Sequence, residues 1–154
     1  MDSMTESLDT KLIERYLRAR GRRYFRGQHD GEFFFVMNVV RLHVHLEIPV
    51  TDREIFTIRV TPACFFPAAD APTLRQVVDT WNDQCREVTA TLHGSSDPHR
   101  IGVAAIVSQP VENGVAFEDF AMFVDHAIAA AIEFFDGLTP IAELSSTPLL
   151  RDAG

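Results

Sequence analysis

The segment RLHVHLEI, residues 41–48, decides the fold class of this chain. Its apolar side chains at 42, 44, 46 and 48 alternate with polar ones at 41, 43, 45 and 47. This period of two is typical of a strand with one buried and one solvent-facing side. A second alternating segment follows at residues 55–61, after a short polar turn at 51–54. Because short connections join antiparallel neighbours, the two segments predict an antiparallel hairpin with one open face.

Helical periodicity surrounds these strands. Apolar residues recur at helical spacing from Leu8 to Leu17 with Gly21 just beyond, from Leu74 to Val88, and from about Phe117 to Asp136 with Gly137 just beyond. Further strands are expected at 24–26, 33–35, 89–93 and 101–107. The Asp30-Gly31 pair predicts a tight hairpin turn with positive φ angles between the first two of these.

The predicted elements follow one another as a helix, about four strands, a helix, two strands and a helix. Without alternation of single strands and helices, this order predicts an α+β two-layer sandwich, with an antiparallel sheet and the helices gathered on one face. We found no repeat and no long linker, so residues 1–154 form one predicted domain. Its core is expected at about residues 8–138, followed by a C-terminal tail at 139–154.

Composition limits the class of protein. Of the 154 residues, 46% are hydrophobic, which predicts a packed globule, and the two cysteines, Cys64 and Cys85, are expected as free thiols in the core. The net charge of -8 disfavours nucleic acid as a partner. No leader or membrane-spanning segment is recognisable, so we expect a cytoplasmic protein that does not bind membranes.

The charge is distributed unevenly along the chain. Residues 1–26 carry seven basic and four acidic side chains, whereas residues 101–154 carry Arg151 against eight acidic ones. Opposite poles favour head-to-tail contacts or a charged partner, but a solvated surface with ordinary helix-end charges explains the pattern more simply.

No motif identifies a reaction. Phosphate-binding glycine loops and hydrolase motifs are absent from the sequence, so we expect no catalytic residues, no cofactor-binding residues and no cofactor. His43 and His45 share a strand face with Glu47, a set that suits zinc or iron. A polar outer face explains these residues more simply, and we predict no metal ligands here.

The apolar content exceeds what one core needs. Polar residues of the last helix lie on one thin line, whereas a helix packed on one side of a sheet should show a wider polar face. We therefore expect the tail, another subunit or a bound polypeptide to cover the rest of the helix. The adjacent aromatics at 33–35 point to both faces of the sheet. Trp81 suits core packing better than ligand stacking. The candidate partner or dimer surface comprises Phe33, Phe35, Trp81, Phe120, Phe123 and Phe134.

Two regions carry a resemblance to a known family. The helix from Leu74 to Asn82, with its Trp81-Asn82 end, and the closing helix from Phe120 to Leu138 resemble the YbjN family, whose fold is similar to that of class I type III secretion chaperones. The resemblance covers about residues 8–138. It implies an α-β-β-β-α-β-β-α sandwich that dimerises and binds extended polypeptide segments, or regulates other proteins, without catalysis.

The sequence therefore favours a non-enzymatic protein-binding module, chaperone-like or regulatory, that acts as a homodimer on a protein or peptide partner. The second or the final helix is its expected dimer interface. The alternative is a small-ligand or metal-binding enzyme that uses the His43/His45 face. A weaker third possibility is a signalling adaptor that recognises one folded partner.

Overall fold

The computed structural model describes residues 5–37, 41–111 and 114–138. In chain order the elements are strand β1 Thr5–Glu6, helix α1 Thr10–Ala19, strands β2 Phe25–Arg26, β3 Glu32–Met37, β4 Leu42–Glu47, β5 Ile55–Pro62 and β6 Phe66–Pro67, a 3₁₀ turn Ala68–Asp70, helix α2 Ala71–Asp83, strands β7 Thr89–Gly94, β8 Arg100–Pro110 and β9 Val115–Ala116, and helix α3 Phe117–Asp136. The predicted tail at 139–154 lies outside the described residues.

Seven of these strands form one antiparallel sheet. Its order runs from β2 through β3, β4 and β5 to β8. Ala105 in β8 faces Val60 of β5 on one side and Ala90 of β7 on the other, so β8 has a neighbour along each edge. β6 continues the β5 side of β8, and β1 pairs with β9 in a separate two-stranded ribbon.

Helices cover one face of the sheet, which confirms the predicted α+β two-layer architecture. In β4 the apolar residues Leu42, Val44 and Leu46 are buried, and the alternate residues His43, His45 and Glu47 face the uncovered side. The same alternation in β5 buries Phe56, Ile58 and Val60. The face away from the helices is called the open face below.

Helix α3 is covered mostly by its own chain. Phe120 packs against Tyr16 of α1 and Phe56 of β5, and Phe134 packs against Trp81 of α2. The helix therefore lies between the sheet and parts of two helices, so few of its positions are free to be polar. This arrangement explains why the polar residues of α3 lie on one thin line, and no external cover over the whole helix is needed to account for it. Met122 is an exposed apolar residue on that line.

The ends of α1 follow their sequence signals. The Asp9 carboxylate accepts a hydrogen bond from the Leu12 N–H at 3.0 Å. Gly21 has a φ of +65°, and the Arg22 N–H reaches the Leu17 carbonyl at 2.9 Å, which closes the last turn.

The hairpin between β2 and β3 exists, but its predicted tight turn at Asp30-Gly31 is wrong. The connection is a loop at residues 27–31, and Gly31 has no positive φ. Glycine is needed there for space, because a Cβ atom would lie 2.8 Å from the Ile48 carbonyl oxygen. The Ile48 N–H donates to the Gly31 carbonyl at 2.8 Å, so the loop is held closely against the end of β4.

Both cysteines correct a second expectation. Cys64 and Cys85 are free thiols, as predicted, but both are exposed and neither belongs to the core. Cys64 follows β5 in a loop. Cys85 lies just past α2 with a φ of +52°, beyond the part of the apolar stripe that remains helical.

Part of the uneven charge is satisfied within the chain. Arg20 of α1 contacts the Asp125 carboxylate of α3 at 2.6 Å, and the Tyr16 hydroxyl donates to the same carboxylate at 2.6 Å. Arg86, after α2, pairs with Glu133 of α3. The basic N-terminal segment and the acidic last helix thus meet inside one molecule.

Candidate functional site

A groove of about 630 Å³ crosses the open face of the sheet. Its floor comes from strands β3, β4, β5, β8 and β7, and one side is formed by the chain at residues 61–65, where it leaves β5. The alternation of the strands places the floor residues, because alternate side chains of neighbouring strands share a face. The side chains that carry the chemistry of the groove are Glu32, Phe34, Val36, His43, His45, Arg59, Thr61, Cys64, Phe65 and His93.

Exposed apolar side chains gather around this groove. Among the described residues, six large apolar side chains are exposed, and four of them, Phe25, Phe34, Val36 and Phe65, belong to the open face or the groove edge. Phe25 and Phe34 lie opposite each other on neighbouring strands, and their rings stack at 5.5 Å between centroids. An apolar cluster of this kind on an otherwise polar face is typical of a binding surface.

A glycine gives the groove part of its depth. The imidazole of His93 in β7 lies over Gly102 in β8, where a Cβ atom would come within 2.1 Å of the ring. The same imidazole makes an edge contact with the Phe65 ring, with centroids 6.2 Å apart. A side chain at position 102 would therefore displace His93 and fill this end of the groove.

The polar part of the groove lining carries more basic than acidic groups. Arg59 is exposed at the centre, with His45 directly opposite it on β4. Within the described residues, the Arg59 guanidinium has no hydrogen bond or ion pair. Glu32 is the acidic residue of the lining, and it is already paired with His45. With the histidines counted as neutral, Arg59 is the unpaired charge of the lining, and its sign is opposite to the net charge of -8 of the whole protein.

At one end of the groove, two histidines and two glutamates form a cluster. Glu32 of β3 and Glu47 of β4 are directly opposite in register. His45 Nε2 lies 2.9 Å from Glu32 Oε2, and His29 Nε2 lies 2.8 Å from Glu47 Oε2. We refer to His29, Glu32, His45 and Glu47 as the His–Glu cluster.

Backbone groups hold two members of this cluster. The Gln28 N–H donates to Glu32 Oε1 at 2.6 Å, and the Gly31 N–H donates to His29 Nδ1 at 3.2 Å. The Gln28 bond and the His45 contact lower the pKa of the Glu32 carboxyl below its ordinary value. Glycine at position 27 leaves room for the Glu32 side chain, which would overlap a Cβ atom there.

The set His43, His45 and Glu47, which suits a metal by its sequence spacing, is only partly assembled in the structure. His43, His45 and Glu47 share the open face of β4, as their spacing predicts. His43, however, lies across from Thr61 and Val36 and is not in the cluster. Sequence reasoning missed Glu32 and His29. The register of the first hairpin would have placed Glu32 opposite Glu47, but no sequence signal places His29, which reaches the cluster from a loop.

Most of the predicted partner surface lies in the core. Phe33, Phe35, Trp81, Phe120 and Phe134 are buried, and Phe123 is half-buried. In β3 the alternation of the strand sends Phe33 and Phe35 to the helices and Phe34 to the open face. The exposed aromatic surface therefore moves from Phe33 and Phe35 to Phe34.

Trp81 and Asn82 support the sheet from the side. The Trp81 indole N–H donates to the Val88 carbonyl at 2.9 Å, in line with the predicted core packing. The Asn82 amide bonds to both backbone groups of Ala90 in the edge strand β7. These two residues therefore fix α2 to β7.

None of the described helices is long and apolar enough to cross a membrane.

Comparison with known proteins supports the fold. No protein-family model and no curated protein matches this sequence. The crystal structure of YbjN from E. coli, a proposed transcription regulator, superposes with a TM-score of 0.75 at 13% sequence identity. The match covers 90% of this chain and 96% of that chain. It is a match to a proposed regulator, not to an enzyme, and it confirms the predicted resemblance at the level of structure: the chain has a YbjN-like fold.

Proposed function

We propose that this protein is a non-enzymatic binding module that holds an extended, acidic and partly apolar polypeptide segment of a partner protein in the groove of its open face. The observation that carries the proposal is the gathering of exposed apolar side chains around a groove whose unpaired charge is Arg59. The YbjN-like fold is compatible with a regulatory role exercised through such a contact.

The dimensions of the groove suit an extended segment. Its floor spans five neighbouring strands, in the sheet order β3, β4, β5, β8 and β7. Because neighbouring strands are about 4.8 Å apart, the groove is about 19 Å long. An extended chain advances about 3.3 Å per residue, so the groove accommodates about six residues. Alternate side chains of such a segment would face the floor and the solvent in turn.

The chemistry of the lining defines the partner segment. Phe34, Val36 and Phe65 offer apolar contacts to side chains that enter the groove. Arg59 offers a guanidinium that can take a carboxylate in a bidentate contact. Nucleic acid fits less well, because the net charge of -8 repels phosphates over the rest of the surface.

A second copy of the chain suits the groove less well than a segment of opposite charge. In a two-fold interface the same patch meets itself, so the unpaired Arg59 would face the Arg59 of the other copy and gain no carboxylate. The predicted homodimer stays a prediction. If it forms, we expect its interface outside the groove, on α2 or α3, and sedimentation velocity at micromolar concentration tests it.

The enzyme alternative on the His43/His45 face has less support. The two histidines make separate contacts, since His45 pairs with Glu32 whereas His43 lies outside the cluster. We therefore assign the open face to binding.

Synthetic peptides test the proposal directly. A fluorescein-labelled hexapeptide with leucine at its first and fifth positions, glutamate at its third and serine at the others presents leucine and glutamate on the same face. It should bind with a saturable rise in fluorescence anisotropy. Two matched peptides, one with lysine in place of the glutamate and one with serine in place of both leucines, should bind at least about tenfold more weakly, because the first cannot pair with Arg59 and the second lacks the apolar contacts. A labelled DNA duplex serves as the nucleic-acid probe and should not bind at physiological salt.

Variants locate the binding surface. Phe34→Ser and Arg59→Gln change exposed groove residues and should each weaken binding of the leucine–glutamate peptide. Met122→Ser on α3 and Lys11→Gln on α1 change exposed residues of the same types outside the groove and should leave it unchanged. Equal binding of all three peptides, or equal loss in groove and control variants, would contradict the proposal. So would DNA binding that competes with the peptide.

A further inference from the structure

The His–Glu cluster poses an electrostatic problem that its hydrogen bonds only partly solve. Glu32 and Glu47 are directly opposite on neighbouring strands, an arrangement that is unfavourable for two like charges. All four side chains of the cluster are about one-quarter exposed, with values between 21% and 30%, so water screens the repulsion only in part. A cation between the carboxylates would remove the repulsion.

The ligand atoms are already close enough to share an ion. One ligand atom each from His29, Glu32 and Glu47 lies within 4.8 Å of the other two. His45 Nε2 is 2.9 Å from Glu32 Oε2 but is not within 4.8 Å of all three atoms, so it lies beside this set as a candidate fourth ligand. In a tetrahedral zinc site with bonds of about 2.0 Å, neighbouring ligand atoms are about 3.3 Å apart. Ion binding would draw the ligand atoms together to that spacing by rotation of their side chains.

We propose that the His–Glu cluster is a binding site for one divalent transition-metal ion, with Zn²⁺ as the best-suited ion. Two imidazole nitrogens and two carboxylate oxygens form a mixed ligand set of the kind that Zn²⁺ takes in tetrahedral geometry. Mg²⁺ and Ca²⁺ prefer oxygen ligands alone, so they fit this set less well. The proposal departs from the sequence-based expectation of no metal ligands, and its site differs from the set His43, His45 and Glu47, since it adds His29 and Glu32 and leaves out His43.

The hydrogen bonds around His29 show what metal binding changes. Because the Gly31 N–H donates to Nδ1, a neutral His29 carries its proton on Nε2, where it bonds to Glu47. Coordination through Nε2 replaces that proton, and the imidazole proton then lies on Nδ1. The long 3.2 Å bond from Gly31 is lost in exchange for coordination.

A bound ion would join three parts of the open face. His29 comes from the loop at 27–31, Glu32 from β3, and His45 and Glu47 from β4. The ion would therefore tie the loop to the hairpin and fix one end of the groove. It serves a structural role here and does not depend on whether a polypeptide segment binds.

Titration of the metal alone tests the proposal. Untagged protein, stripped with a chelator and dialysed, should bind ZnCl₂ with a stoichiometry of one ion per chain in isothermal titration calorimetry, and its melting temperature should rise. MgCl₂ should give neither response. CoCl₂ should produce the intense visible absorption of tetrahedral cobalt, which aqueous cobalt lacks.

Single substitutions then identify the ligands. His29→Gln and Glu47→Gln should each weaken zinc binding by about tenfold or more and remove the cobalt absorption. His43→Gln is the matched control, because His43 lies on the same strand and the same face but outside the cluster. It should bind zinc like the wild type. His45→Gln is a further ligand variant if His29→Gln does not fold, as judged by circular dichroism.

Three results would overturn the proposal: no stoichiometric zinc binding by the wild type, an octahedral cobalt spectrum, or equal weakening by His43→Gln. No peptide is present in this titration, so its failure would leave the groove proposal standing, and failure of peptide binding would leave the metal site standing.

Discussion

The Asn82 side-chain amide forms hydrogen bonds with both backbone groups of Ala90, accepting from its N–H at 2.8 Å and donating to its carbonyl at 2.9 Å. Ala90 pairs with Ala105 of β8, and its backbone groups point away from that partner toward the outer edge of the sheet. Asn82 thus occupies the place of a further strand at this position. Edge strands of this kind are otherwise open to pairing with other chains.

Asn82→Ala should therefore destabilise the protein. The half-buried amide leaves, and two backbone groups lose their partners, which costs about 1–3 kcal/mol of unfolding free energy. Urea denaturation followed by circular dichroism measures the change. Gln76→Ala removes an exposed amide from the same helix and should stay within about 0.5 kcal/mol of the wild type. Equal losses in both variants would contradict the role of the edge contact, because alanine favours the helix more than either amide side chain does.

Trp81 offers a separate test of the contact between α2 and β7. Trp81→Phe keeps an aromatic ring against Phe134 but removes the indole N–H, so the Val88 carbonyl loses its bond at a cost of about 1–3 kcal/mol. Trp81→Ala also opens a cavity and should cost about 3–5 kcal/mol. Chemical denaturation monitored by circular dichroism compares both variants. A phenylalanine variant as stable as the wild type would contradict the role of the N–H.

Cys85→Gly should stabilise the protein. Cys85 holds a φ of +52° just past α2, a conformation that costs a residue with a Cβ atom about 1 kcal/mol and glycine nothing. We expect a gain of about 0.5–1 kcal/mol in unfolding free energy, measured by thermal and urea denaturation. Cys64→Gly changes the other exposed cysteine, which has no positive φ, and should be neutral or destabilising. A gain in both variants would point to a property of the thiols.

Asp125 should make stability sensitive to acid. Partial burial raises the pKa of this carboxyl, but the hydrogen bonds from Arg20 and Tyr16 outweigh burial and hold the pKa below its ordinary value of 3.8. The folded protein thus binds this proton more weakly than the unfolded chain. The stabilisation is complete above about pH 5 and is lost progressively as the pH falls through the folded value.

Asp125→Asn should accordingly lower the urea midpoint at pH 7, and its difference from the wild type should shrink between pH 4 and pH 2. Asp136→Asn, at the exposed end of the same helix, should stay within about 0.5 kcal/mol of the wild type across this range. A constant difference between wild type and Asp125→Asn at every pH would show that the loss comes from packing alone. Denaturation curves at half-unit pH intervals resolve these outcomes.

The sequence predicted the fold well where a periodic pattern records burial directly. Strand β4 has one polar and one apolar side, and α3 begins and ends at the predicted residues, Phe117 and Asp136. The apolar content of α3 was harder to interpret. A helix that packs on a sheet alone keeps a wide polar face, whereas α3 also contacts Tyr16 of α1 and Trp81 of α2. Contacts between helices far apart in sequence leave no local signal.

The candidate site was only partly predictable for the same reason. The triple aromatic at 33–35 correctly indicated apolar rings on both faces, and Phe34 is the exposed one. The His–Glu cluster depends on loop geometry, which brings His29 to Glu47, and on strand register, which sets Glu32 opposite Glu47. The exposed cysteines escaped prediction because both lie where a regular element has ended and its periodicity no longer applies.

Strand β8 also sets the order in which the sheet can be completed during synthesis. It pairs with β5 along one edge and with β7 along the other. Ala105 of β8 faces Val60 of β5, and about 45 residues separate the two in the chain. Until β8 leaves the ribosome, the outer edge of β5 has no partner in the growing chain. In that interval the incomplete sheet of β2 to β5 is most open to pairing with another nascent chain. Once β8 pairs with β5, that edge is no longer available.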